Sequence, residues 1–106
     1  MSKKEYTRNE WRIQKVYNVE HEEWRYRVQY KYTVLLWWKS WGTVNKGNLE
    51  WCHYKWTDTY YTHGYEEIVS FKSEALAREF IETYESYKKK MYKVAEELEN
   101  PYIEVK

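Results

Sequence analysis

The sequence predicts an α+β fold: a twisted antiparallel sheet of four to six strands, packed by one long C-terminal helix over about residues 74–98. Two patterns carry this expectation. Trp24, Tyr26, Val28, Tyr30, Tyr32 and Val34 alternate with Arg25, Arg27, Gln29, Lys31 and Thr33. A period of two means a strand with one apolar and one polar face. Leu76, Phe80, Tyr84, Tyr87, Met91, Val94 and Leu98 then follow at spacings of three and four, which is the stripe of an amphipathic helix. A chain of 106 residues is expected to form a single domain, residues 1–106.

Residues 1–9 are polar and are expected to fray. Trp11, Ile13 and Tyr17 share one side of an imperfectly alternating strand, and residues 18–23 read as a hairpin loop. After the strand of residues 24–34, the apolar stretch 35–44 is interrupted at Lys39 and Ser40, which suggests a turn or bulge and then a strand through Trp41–Val44. Asn45-Lys46-Gly47-Asn48 has turn chemistry. Residues 49–61 fit either a strand of mixed facing or a short helix capped by Asn48. Thr62-His63-Gly64 reads as a turn, and residues 66–71 return as a strand. Ser73 has the chemistry of a helix N-cap, with Glu74 well placed against the helix dipole. Asn100-Pro101 stops the helix, and a short final strand over 102–105 is a further expectation.

Composition points toward recognition. Aromatic residues make up 21% of the chain, with seven Trp and thirteen Tyr but two Phe. Five Leu, four Ile and eight Val are outnumbered by the 22 rings. Trp and Tyr combine an apolar body with one polar handle and are enriched at binding surfaces. A small core does not need all of them, so some of the rings between Trp37 and Tyr61 are expected at the surface. Net charge is +1, too small for a strongly basic nucleic-acid binder. The halves differ: residues 1–49 carry ten Lys/Arg against five Asp/Glu, and residues 50–106 carry eight against twelve. Met1–Glu10 lacks the apolar core of a signal peptide, and the longest apolar run, Val34–Trp38, is too short to span a bilayer. Cys52 is the lone cysteine, which fits a reducing compartment, and the expected location is the cytoplasm, away from membranes.

No chemistry-bearing motif stands out. Cys52, His53, Asp58 and His63 are close in sequence, but they match no closed zinc spacing, and no metal or other cofactor is expected. Cys52 beside His53 or His63 lacks the local setting of a thiolate nucleophile. Phosphate-binding glycine loops are absent, and the chain has three Gly in all. An enzyme is therefore not expected. Arg25, Arg27 and Lys31 form a basic row on the polar face of the second strand, but the rings of that strand lie on its other face. A sheet that reads single-stranded nucleic acid needs rings and cations on the same face. A nucleotide-sequestering cage of Trp51, Tyr54, Trp56, Tyr60 and Tyr61 with Lys55 is allowed by composition. Leu35–Trp41 holds three Trp within five residues, which cannot all point inward from an extended chain. The expected partner-binding residues are Trp37, Trp38, Trp41, Trp51, Tyr54, Trp56, Tyr60 and Tyr61, flanked by Arg25, Arg27 and Lys31.

The Lys/Glu/Tyr/Trp-rich chain, its YRVQYKYTVLLWWKSWGTV hairpin region and its SFKSEALAREFIETY strand-to-helix junction resemble, in style, small host-directed accessory proteins of tailed bacteriophages. That resemblance implies a protein that inhibits a bacterial enzyme or defence factor by binding it, or that sequesters a signalling nucleotide. The resulting expectation is a non-enzymatic intracellular binding protein with a bacterial protein partner. Homo-oligomer formation is left open, and single-stranded nucleic acid or a nucleotide are the alternative ligands.

Overall fold

The computed structural model describes residues 5–55, 59–62 and 67–105. Its elements run β1 (Trp11–Asn18), β2 (Glu23–Thr33), β3 (Lys39–Thr43), α1 (Lys46–Trp51), β4 (Thr59–Tyr61), β5 (Val69–Phe71) and α2 (Glu74–Glu99). All strand pairs are antiparallel, so the α+β class expected from the sequence is the class observed.

β2 is the axis of the five-stranded sheet. One edge pairs with the whole of β1, from Tyr30 opposite Trp11 to Glu23 opposite Asn18. Its other edge is shared: β3 pairs with residues 29–33, and β5 meets it at Tyr26. β4 then closes the far side of β5. An eleven-residue strand is long enough to hold two short neighbours end to end. Val44 bridges them, donating its N–H to Val28 O at 2.8 Å and accepting from Val69 N at 3.1 Å.

Directly paired residues point to the same side of a sheet. Tyr26, Val28 and Tyr30 therefore face the same way as Trp11, Ile13 and Phe71, and α2 covers them. The core is mostly rings. Phe80 of α2 is fully buried, with Tyr54, Phe71, Tyr84 and Trp11 at centroid distances of 5.4, 5.5, 5.9 and 6.3 Å. Ser73 caps α2 by accepting from Leu76 N at 3.1 Å, as its side-chain chemistry predicts.

Four expectations are corrected. First, residues 45–48 form no free turn. They open α1, where Asn45 is the N-cap and exchanges reciprocal side-chain-to-backbone bonds with Asn48. The segment 49–61 thus begins as the body of a helix whose cap is Asn45. Second, α1 ends with His53 in the left-handed region (φ 57°), while Tyr54 N donates to Leu49 O at 3.0 Å. This reversal turns Tyr54 inward. Third, residues 102–105 form no strand. Fourth, residues 6–9 are tied down. Glu85, buried on α2, accepts from Tyr6 Oη, from Asn9 N at 3.1 Å and from Trp11 Nε1 at 2.9 Å. Lys88 Nζ donates to Thr7 O and Asn9 Oδ1, both at 2.7 Å, and Arg8 pairs with Glu82. The expected turn at residues 62–64 lies largely outside the described residues, as does the start of the expected strand 66–71.

Removing the Phe80 ring leaves a cavity between four other rings. Phe80→Ala is expected to lower unfolding free energy by about 3–5 kcal/mol, and Tyr102→Ala, at an exposed position, by less than about 0.5 kcal/mol, both read from urea denaturation. The clamp on Glu85 adds a pH dependence. Loss of water around the Tyr6 hydroxyl, then its hydrogen bond to Glu85, pushes that phenol from about 10 up to about 12. The neutral phenol is the form the fold holds. Its contribution is complete below pH 10 and is lost as pH rises toward 12. Urea midpoints across that window should fall less steeply in Tyr6→Phe than in the parent.

Candidate binding surface

The β2–β3 connection carries two adjacent, strongly exposed tryptophans. Trp38 N donates to Leu35 O at 3.2 Å, and Trp38 O accepts from Val34 N at 2.7 Å and Leu35 N at 3.2 Å. These bonds close a tight reversal with Leu36 and Trp37 at its corners. Leu36 is 95% exposed, Trp37 82% and Trp38 60%, and Val34, Leu35 and the neighbouring Tyr32 are exposed as well. Turn corners usually hold Gly, Asn, Asp or Pro, because those residues suit the backbone there. Neither Leu36 nor Trp37 has a positive φ, so the backbone does not demand an unusual residue. Nor do the corner side chains pack on the core. Val34 to Trp38 thus form a run of five apolar residues facing solvent. Of the sequence-predicted anchors, Trp37 and Trp38 are therefore where a partner could reach them.

The remaining predicted residues are dispersed. Trp41 lies on β3 opposite Lys31, on the sheet face turned away from α2. Arg12 stacks on its ring at 4.2 Å, and Lys31 lies 5.8 Å from it. Tyr60 of β4 sits on the same face, with Arg25 stacked on its ring at 3.7 Å. The structure thus brings two rings onto the basic face, an arrangement that β2 alone could not reveal. Much of that face is already engaged. Gln29, buried, accepts from Arg12 Nε at 2.6 Å and donates to Thr43 Oγ1 at 3.1 Å. Arg25 pairs with Glu23 at 3.0 Å, and its hydrogen bond holds the Glu23 carboxyl below the usual carboxylate range. Lys31 pairs with Glu10 at 3.1 Å. Arg27 Nε is buried and lacks a partner among the described residues.

The nucleotide cage does not assemble from its described members. Trp51 packs on Tyr84 and Tyr87 of α2, both at 4.9 Å. Tyr54 is 7% exposed and belongs to the core, so it is not a surface anchor. Tyr61 pairs with Val69 and packs toward that core, on the side opposite Tyr60. Trp56 lies outside the described residues, as do Asp58 and His63 of the candidate metal set. Among the described residues no three of His, Cys, Asp and Glu gather as a metal ion would need.

The candidate nucleophile is unfavourably placed. Cys52 is buried, its Sγ donates to Leu49 O at 3.7 Å, and burial pushes its thiol up. His53 meets Tyr87 edge to face at a centroid distance of 5.4 Å. The groove between β1 and α2 is lined by Arg8, Arg12 and Arg78 with Glu74 and Glu82. Arg8 pairs with Glu82 across it, and Arg78 pairs with Glu74 one turn away along α2. Among the described residues, no helix is long and apolar enough to cross a membrane.

The residue that sequence reasoning missed is Glu85. It lies among the other glutamates of α2, and its partners are more than seventy positions away. Comparison with known proteins finds no matching family model, no matching curated protein and no matching solved structure.

Since Trp37 and Trp38 face solvent, Trp37→Ala and Trp38→Ala are each expected to shift stability by less than about 0.5 kcal/mol. Trp11→Ala, which removes a ring held by Glu85 and Phe80, is expected to cost about 3–5 kcal/mol. Urea denaturation of the three variants would distinguish free rings from packed ones.

Proposed function

We propose that this chain is a non-enzymatic binding protein that docks a protein partner through the Val34–Trp38 tip. The observation that carries the reading is the exposed Leu36-Trp37-Trp38 corner at the end of a paired hairpin. Trp is enriched among interface anchors, and a ring presented on a closed turn loses little freedom on binding. Tyr32 and Lys39 flank the corner and supply a polar rim. Likeness in style to small accessory proteins of tailed phages extends the proposal: the partner is a bacterial host or defence protein, and docking inhibits it.

A second reading has its own observation. Trp41 and Tyr60 share a face with Arg12, Arg25, Arg27 and Lys31, which is the co-facing that a single-stranded nucleic acid needs. Three facts rank it second. Both rings already carry an arginine, Gln29 and Ser70 are buried on that face, and two of the cations are paired with carboxylates.

The test is affinity capture from a bacterial lysate, with and without nuclease, using the parent chain and Trp37→Ala. A protein should be retained through nuclease treatment, and Trp37→Ala should weaken its binding by about 2 kcal/mol or more, roughly thirtyfold. Retention of nucleic acid alone, with an affinity that falls steeply as salt rises and is lost in Arg12→Ala, would replace the first reading with the second.

A further inference from the structure

The apolar stripe of α2 continues where the core stops. The last buried residue of the helix is Glu85, and residues 93–99 are all exposed. Tyr87, Met91, Val94 and Leu98 nevertheless recur at spacings of four, three and four, the alternation of a coiled-coil seam. Val94 is 38% exposed and Leu98 67%. The 26-residue helix is about 39 Å long at 1.5 Å per residue, so its distal part stands clear of the sheet.

We propose that this distal half pairs with the same segment of a second copy of the chain, antiparallel, about a twofold axis. One register fits. It sets Tyr87 against Leu98 of the second copy and Met91 against Val94, and each pair occurs twice by symmetry. The charges flanking the seam decide the direction. In that register Lys90 faces Glu97 of the second copy, again twice, and Lys88 falls beside Ala95, so no like charges meet. Lys90 and Glu97 are both exposed and lie on one flank of the stripe. A parallel pairing would set Lys90 beside Ala95 and Glu97 beside Tyr102, with no ion pair. Trp51, half-exposed against Tyr84 and Tyr87, flanks the beginning of the seam. The hairpin tip takes no part, so the pairing is independent of partner docking.

A seam of two heptads is small, and the association should depend on concentration. Sedimentation velocity of the full chain at micromolar and millimolar concentration should show monomer giving way to dimer. Leu98→Glu, at a position outside the core, should raise the dissociation constant at least tenfold. Lys90→Glu should weaken pairing, and Lys90→Glu combined with Glu97→Lys should restore it. Direction is read by oxidative cross-linking. Residues 87 and 98 of one chain are about 16 Å apart along the helix, beyond disulfide reach. Tyr87→Cys with Leu98→Cys should therefore link two chains, and Leu98→Cys alone should not. A chain that stays monomeric at both concentrations, or that cross-links through Leu98→Cys alone, would overturn the proposal.

Discussion

The two-sidedness of β2 is the constraint on which the rest of the molecule depends. Its even-numbered residues from Tyr26 to Tyr30 face α2, and its odd-numbered residues from Arg25 to Lys31 face away. Slipping the strand by one position would exchange the two sets and bury arginines under α2. Full-length pairing with β1 fixes that register, and β3 and β5 fix it again from the other edge. The inward set shares the core with Phe71 and Phe80, whereas the outward set forms stacked cation–ring pairs and short ion pairs. The hairpin tip follows from the same strand. Because β2 ends at Thr33 and β3 begins at Lys39, the intervening apolar residues project beyond the sheet.

How the rings divide explains the aromatic excess. Phe71, Phe80, Tyr54, Trp11 and Tyr84 meet at tilted or near-perpendicular angles around one centre, filling a core for which the chain has few branched aliphatic residues. Trp41 and Tyr60 are half-buried under guanidinium groups on the opposite face. Trp37 and Trp38 have neither kind of cover. A ring can be satisfied by other rings or by a cation, and both circumstances occur in this chain.

Periodic features were legible from sequence. β2, α2 and the Ser73 cap follow from patterns that local stereochemistry dictates. The Asn45–Asn48 segment reads equally as a turn, because turns and helix N-termini use the same residues and only the reciprocal bonding distinguishes them. Composition alone puts Tyr54 at the surface, because it cannot reveal that a left-handed His53 turns the chain inward. Tethering of residues 6–9 was illegible for a different reason. Its acceptor, Glu85, sits in a helix rich in solvated glutamates and has no local mark of burial. The exposed tip was half legible: alternation showed that three closely spaced Trp could not all be inside, but the turn decided which of them is out.

The closure of that turn has one more consequence. It is made by backbone atoms of Val34, Leu35 and Trp38, so the conformation of the corner does not depend on which side chains occupy positions 36 and 37. The corner and the core also share no contact. The hairpin is in effect an interchangeable head on a fixed handle. Other residues can be grafted at the corner while the ring-packed body underneath continues to fold as before.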